Sequence, residues 1–111
     1  MKPAEVLIVT TETVAGKRIT RTLGLVRGGS VRARHLGRDV TAFMRNVVGG
    51  EVPEYTKLIA EAREQALDRL LEQAEELGAD AVVCVRFQTT EMMETAAELL
   101  AYGTAVLLED A

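Results

Sequence analysis

Gly49-Gly50-Glu51-Val52-Pro53-Glu54-Tyr55 opens, and Gly78-Ala79-Asp80-Ala81-Val82-Val83-Cys84-Val85 closes, the stretch whose reading decides the fold. Between them lies a capped, one-sided helix delivered straight into a buried strand. Pro53 suits a first helical turn, where its missing N–H would have had no partner, and Glu51 and Glu54 place negative charge at the positive end of the helix dipole. Tyr55, Ile59, Ala62, Ala66, Leu70, Ala74 and Leu77 recur at steps of three or four residues, with Leu58, Leu67 and Leu71 widening the stripe. Arg63, Glu64, Asp68, Glu72 and Glu75 lie mostly away from it. The spacing predicts a helix with one apolar face whose small residues let its backbone approach a sheet closely. Gly78 supplies the left-handed conformation that ends such a helix, and the β-branched run after it has the length of a buried strand.

Working outward, the N-terminal half reads as strands. Val6-Leu7-Ile8-Val9 is a short apolar run, followed by a turn or loop reaching Gly16-Lys17-Arg18. Ile19-Thr20-Arg21-Thr22-Leu23 alternates with period two and continues through Leu25-Val26, with a bulge expected at Gly24 and punctuation at Gly28-Gly29. Leu36, Val40, Phe43, Met44 and Val47 predict a short first helix ending at Gly49-Gly50. On the C-terminal side, Ala81 to Thr89 reads as a strand, Thr90 to Thr95 as a polar connection and Leu99 to Leu108 as another strand.

The predicted order is therefore ββααββ. This is an α+β subunit with a curved, mainly antiparallel sheet covered on one face by the long helix. Val82-Val83-Cys84-Val85 and Ala105-Val106-Leu107-Leu108 are apolar at consecutive positions, as strands buried on both faces are. One long helix covers one face, so self-association is expected to bury the other and to pair open strand edges.

The 111 residues form a single domain, 1–111, with 48% hydrophobic but 4% aromatic residues, so the core is expected to be aliphatic. No run approaches the roughly 20 apolar residues of a membrane span, and no signal-peptide pattern opens the chain; the expected location is the cytoplasm. A lone cysteine, Cys84, fits a reducing compartment and reads as a small buried apolar residue. Charge divides the chain. Residues 1–50 carry nine Lys/Arg against three Asp/Glu (+6) and residues 51–111 four against fourteen (−10), which yields the net −4. Lys17, Arg18, Arg21, Arg27, Arg32, Arg34 and Arg38 could form a phosphate-binding surface, but the acidic helix opposes the field a polynucleotide needs. The favoured reading is mutual neutralisation within or between subunits.

Taken together, Leu23-Gly24-Leu25-Val26-Arg27-Gly28, Arg45-Asn46-Val47-Val48-Gly49-Gly50, Tyr55, Ala62-Arg63, Ala66, Ala74, Gly78-Ala79-Asp80-Ala81-Val82-Val83 and Tyr102-Gly103-Thr104-Ala105-Val106 make the chain resemble the YbjQ-like family, which carries a heavy-metal-binding label. The order and spacing of these elements cover nearly the whole chain. The resemblance implies a dodecin-like or YbjQ-like β/α subunit, a ring-shaped homopentamer, and a family without an established biochemical activity. A metal ion as cofactor is implied by the resemblance alone.

Coordination chemistry does not favour that label within one subunit. A structural zinc site takes about four Cys or His ligands, whereas this chain has one Cys and one His, Cys84 and His35, 49 positions apart. The weak candidates are Cys84, Met92 and Met93 as soft sulfur and Glu91 and Glu94 as oxygen, which a fivefold ring would repeat about its axis. The competing reading is a polar hairpin tip whose methionines pack on a neighbour.

No catalytic residue is assigned: there is no G-x-S-x-G elbow, P-loop, G-x-G-x-x-G, H-E-x-x-H or C-x-x-C. Arg45 and Asn46 before Gly49-Gly50, supported by Tyr55 and Tyr102, are the candidate ligand or subunit-boundary site. The expected function is a non-enzymatic oligomeric binding or scaffold module for a metal ion or small ligand, and the alternative is a small-molecule enzyme with a composite site between subunits.

Overall fold

The computed structural model describes residues 5–33, 53–93 and 96–111. In chain order these form β1 (Leu7–Ile8), β2 (Lys17–Ala33), α1 (Pro53–Glu76), β3 (Ala81–Met93) and β4 (Ala96–Asp110). One four-stranded mixed sheet runs in the order β1-β3-β4-β2. β1 pairs parallel with β3, while β4 pairs antiparallel with both β3 and β2. The expected α+β class holds at this level. The first helix expected over 36–48 lies outside the described residues.

α1 begins at Pro53, as the sequence predicts. Its end is a Schellman arrangement: Gly78 at φ 71° donates its N–H to Glu75 O at 3.0 Å, and Ala79 donates to Ala74 O at 3.0 Å. These bonds satisfy terminal carbonyls and turn the chain directly into β3. The buried stripe is Ala62, Ala66, Leu70 and Ala74, whereas Leu77 is 48% exposed and drops out of it. With Val26, Val82, Val85 and Ala105 the stripe builds the core on the helix face of the sheet.

Glycine, rather than a large side chain, determines how α1 seats. A Cβ added at Gly28 would lie within 2.8 Å of the Ala66 carbonyl oxygen, the Leu70 nitrogen and the Arg69 Cβ. Gly28 is thus where the helix backbone rests on the strand. For the same reason Gly28-Gly29 does not end the second strand, as expected above; β2 runs through both to Ala33. The bulge expected at Gly24 is present as a register shift between Thr22 and Gly24.

Beside the alanine stripe, Gln65, Arg69 and Gln73 lie at i, i+4 and i+8 and face β2, the outermost strand. Gln73 Oε1 accepts the Arg27 backbone N–H at 2.8 Å, Arg69 Nη1 donates to the Gly29 carbonyl, and the Ser30 hydroxyl, fully buried, donates to Gln65 Oε1 at 2.8 Å. Helix side chains therefore occupy part of the open edge of β2, where an incoming strand would otherwise pair.

The sheet's other face is partly covered from within the subunit. Ala81, Val83 and Val106 form a second buried cluster, packed by Val9 and Val14 from the connection before β2 and by Ile19, Cys84 and Leu108. Val9 and Thr11 hold this connection to β3 through Val9 N–H to Val82 O at 2.9 Å, Val85 N–H to Val9 O at 3.0 Å and Cys84 N–H to Thr11 O at 3.0 Å. The expectation that a neighbour alone must bury this face is corrected for its lower part. A further correction concerns the hairpin: β3 continues to Met93 and β4 begins at Ala96, so Thr90 to Met93 belong to a strand and not to a connection.

Two consequences can be measured. Gly28→Ala forces the helix off the sheet and is expected to cost about 3 kcal/mol, at the upper end for overpacking, read as a lower denaturant midpoint at unchanged m. Replacing Arg69 and Gln73 together by Ala removes two bonds to the β2 edge; we expect a loss of about 1 kcal/mol for each and faster concentration-dependent aggregation in light scattering.

Candidate functional site

At the β2 edge lies a groove of about 620 Å³, bounded by Arg27, Gly28 and Gly29 of β2, by Arg69, Glu72, Gln73 and Glu76 of α1 and by Glu98 and Leu100 of β4. Its walls follow from the helix placement. The Gly28 contact sets α1 close to β2, and the 3.6-residue period then lines Arg69, Glu72, Gln73 and Glu76 along the strand. Glu98 leans over the strand from the opposite side, so that a Cβ on Gly29 would meet its Oε2 at 3.2 Å. One wall is acidic and the strand itself carries Arg27.

The sheet face turned away from α1 continues from this groove. Tyr102 stands in register with Arg27 on one side and Arg86 on the other, so the three side chains form a cross-strand row. Arg27 and Arg86 are exposed, and Tyr102 is partly buried between them. Arg86 Nη1 donates to Thr10 O and to Val85 O, each at 3.0 Å, which fixes the guanidinium at the point where the Val9–Val14 covering ends.

A bulge places Arg86 in that row. Between Val83 and Arg86 the β3–β4 register shifts, so Cys84 and Val85 together oppose Gly103. Cys84 adopts φ 56°, a left-handed conformation uncommon for a residue with a side chain. Gly103 is required opposite it, because a Cβ there would meet Val82 Cγ1 at 2.7 Å and Val85 Cγ2 at 3.2 Å.

Two basic residues at the start of β2 are paired within the subunit. Lys17 bridges to Asp110 and Arg18 to Glu109, tying the start of β2 to the end of β4. The Lys17 ammonium holds the Asp110 carboxyl below its ordinary value through a hydrogen bond and charge attraction. Two of the basic residues weighed as a phosphate surface are therefore neutralised by acids of the same chain.

Of the residues the sequence singled out, Tyr102 stands on the open face of the sheet and Tyr55 on the first turn of α1. Arg45, Asn46, Gly49, Gly50 and Glu94 lie outside the described residues. Glu91, Met92 and Met93 are the last residues of β3, and Cys84 lies seven residues earlier than Glu91, about 23 Å along an extended strand. Among the described residues no group of three or more His, Cys, Asp or Glu is placed to hold a metal ion. The described donors of one subunit thus do not gather into a metal centre. Arg86 was not singled out at all, because its face depends on a bulge that simple alternation does not anticipate. Gln65, Arg69 and Gln73 were also missed, although their i, i+4, i+8 spacing beside the alanine stripe is visible in the chain.

No helix among the described residues is long and apolar enough to cross a membrane. A family model described as "Putative heavy-metal-binding" matches residues 6–109. A UPF0145 protein of Methanosarcina acetivorans is 58% identical over 100 residues, covering 90% of this chain and 94% of that one. A second, from Archaeoglobus fulgidus, is 54% identical over 104 residues, 94% of this chain and 96% of the other. Among solved structures, a protein of unknown function of the DUF74 family from Pediococcus pentosaceus superposes with a TM-score of 0.62 at 18% identity, over 94% of this chain and 98% of that one, which shows the shared fold. On the extent of the family match and the identity to these relatives, the chain belongs to the YbjQ-type family of UPF0145 proteins.

Proposed function

We propose that this chain is a subunit of a cytoplasmic, non-enzymatic homo-oligomer, a ring-shaped, dodecin-like pentamer that serves as a binding or scaffold module. The observation that carries this reading is the far half of the sheet. Among the described residues nothing pairs with the outer side of β3 beyond Arg86, and Phe87 on β3 and Val31 on β2 remain 45% and 54% exposed. Open edges and large exposed apolar side chains on an ordered sheet favour burial by another copy. The size of the ring comes from family resemblance. Arg45, Asn46, Gly49, Gly50, Tyr55 and Tyr102 are proposed as a ligand or subunit-boundary site.

A second reading, an enzyme with a composite site between subunits, draws on the charged groove beside Arg27, which holds acidic and basic groups together. The residues lining the groove include no Ser, Thr, Cys or His, which favours the binding module. A metal would require one ligand repeated about the ring axis, with Cys84, Glu91, Met92, Met93 or Glu94 as the repeated donor.

Multi-angle light scattering is expected to give about 60 kDa, five times the 12.1 kDa chain, at micromolar concentration. A 12.1 kDa species sinks the assembly. Native mass spectrometry of untagged protein decides the metal: one ion per ring supports the axial site, and metal-free rings after incubation with zinc, copper or nickel remove it.

A further inference from the structure

We propose that Arg27, Tyr102 and Arg86 form a binding site for a small phosphorylated aromatic molecule of mononucleotide size. The row spans three adjacent strands, so the two arginine Cα atoms are about 10 Å apart with the tyrosine between them. Arg86 is held on the Thr10 side of the row, so Arg27, whose head is not so anchored, swings over the row to close on a phosphate that Arg86's remaining donors meet from the far side. The tyrosine ring and the apolar Leu25 and Leu100 around it offer a face on which a base stacks. Leu25, 65% exposed, is two residues from Arg27 on the same face, and Leu100 is two residues from Tyr102.

Neither arginine is committed to a carboxylate. The ion pairs among the described residues use Lys17 and Arg18, and Arg86 spends two of its five donors on backbone carbonyls of Thr10 and Val85. Three donors remain, on a group already held in place, so binding an anion there loses little side-chain entropy. Two like charges on one sheet face repel each other, and an anion between them relieves that repulsion.

The surroundings limit the size of the ligand. Glu98, with Glu72 and Glu76 beyond it, lines the groove that leads away from Arg27, and a continuing phosphate backbone would run into this acidic wall. A single phosphate with one ring fits; a polynucleotide does not. The acidic groups can instead accept hydrogen bonds from amino or hydroxyl donors of the ligand.

This inference deepens the binding-module reading by naming a ligand class, yet its residues all come from one subunit and do not depend on assembly. Isothermal titration of the whole protein with adenosine 5′-monophosphate is expected to give a Kd tighter than about 1 mM, with inorganic phosphate weaker and adenosine weakest. Arg27→Ala keeps the backbone N–H that meets Gln73 and is expected to weaken the monophosphate at least tenfold. Tyr102→Leu is expected to bring the monophosphate down to the affinity of inorganic phosphate. Because Arg86 also anchors Thr10, Arg86→Lys is paired with Arg86→Ala, and circular dichroism confirms the fold of each variant. A folded parent protein that binds neither monophosphate nor phosphate at millimolar concentration overturns the site, as does undiminished binding by folded Arg27→Ala or Tyr102→Leu. Light scattering on the same samples separates the two ideas: a pentamer that ignores the monophosphate fails this site alone, and a monomer that binds it fails the assembly alone.

Discussion

The rest of the subunit depends on one steric constraint, the contact of the α1 backbone with Gly28. A helix normally stands off a sheet by the length of the side chains between them. Here Ala62, Ala66 and Ala74 supply a low ridge and Gly28 an empty position, so the two backbones meet. This closeness allows a core with few aromatic rings to pack densely, and it brings Gln65, Arg69 and Gln73 within hydrogen-bonding reach of β2. A helix one methyl group further out would leave the backbone groups of Arg27 and Gly29 without these protein partners and would open the groove beside them.

The two faces of the sheet carry different duties. The helix face is a conventional aliphatic core from Val26 across Ala105 to Val82. The other face is divided: its lower part is closed by Val9 and Val14, and its upper part presents Arg27, Tyr102 and Arg86. Burial and recognition thus share one surface, separated by the Arg86 bonds to Thr10 and Val85. The clasp of Lys17 with Asp110 and Arg18 with Glu109 keeps that division in register from the opposite end.

Much of the fold was legible because local signals agreed with one another. Pro53, the three-and-four spacing of the alanines and Gly78 each mark the same helix, and that helix is present with those limits. The glycine pair at 28 and 29 misled for an identifiable reason: its sequence signal is that of a turn, whereas its role is to admit another element's backbone, which only tertiary contact reveals. The hairpin was underestimated in the same way, since polar Thr90 and Glu91 lack the alternation of a half-buried strand and owe their pairing to β4. Of the candidate site, Tyr102 was legible as an isolated aromatic. Its partners were not, because they precede it by 75 and by 16 positions and are joined to it only by register.

The Cys84–Val85 bulge has a consequence best put in terms of phase. Along an uninterrupted strand, Val83 and Arg86 would point to opposite faces, since side chains alternate at every step. The extra residue advances the alternation by one, so that Arg86 to Thr90 are carried with inverted sidedness relative to plain alternation from Ala81. A deletion of one residue here would therefore act as a frameshift in space: it would leave the composition of the strand nearly intact while transferring Arg86 to the helix side and Phe87 to the other. The left-handed backbone at Cys84 and the missing side chain at Gly103 are the local terms on which that half-turn is held.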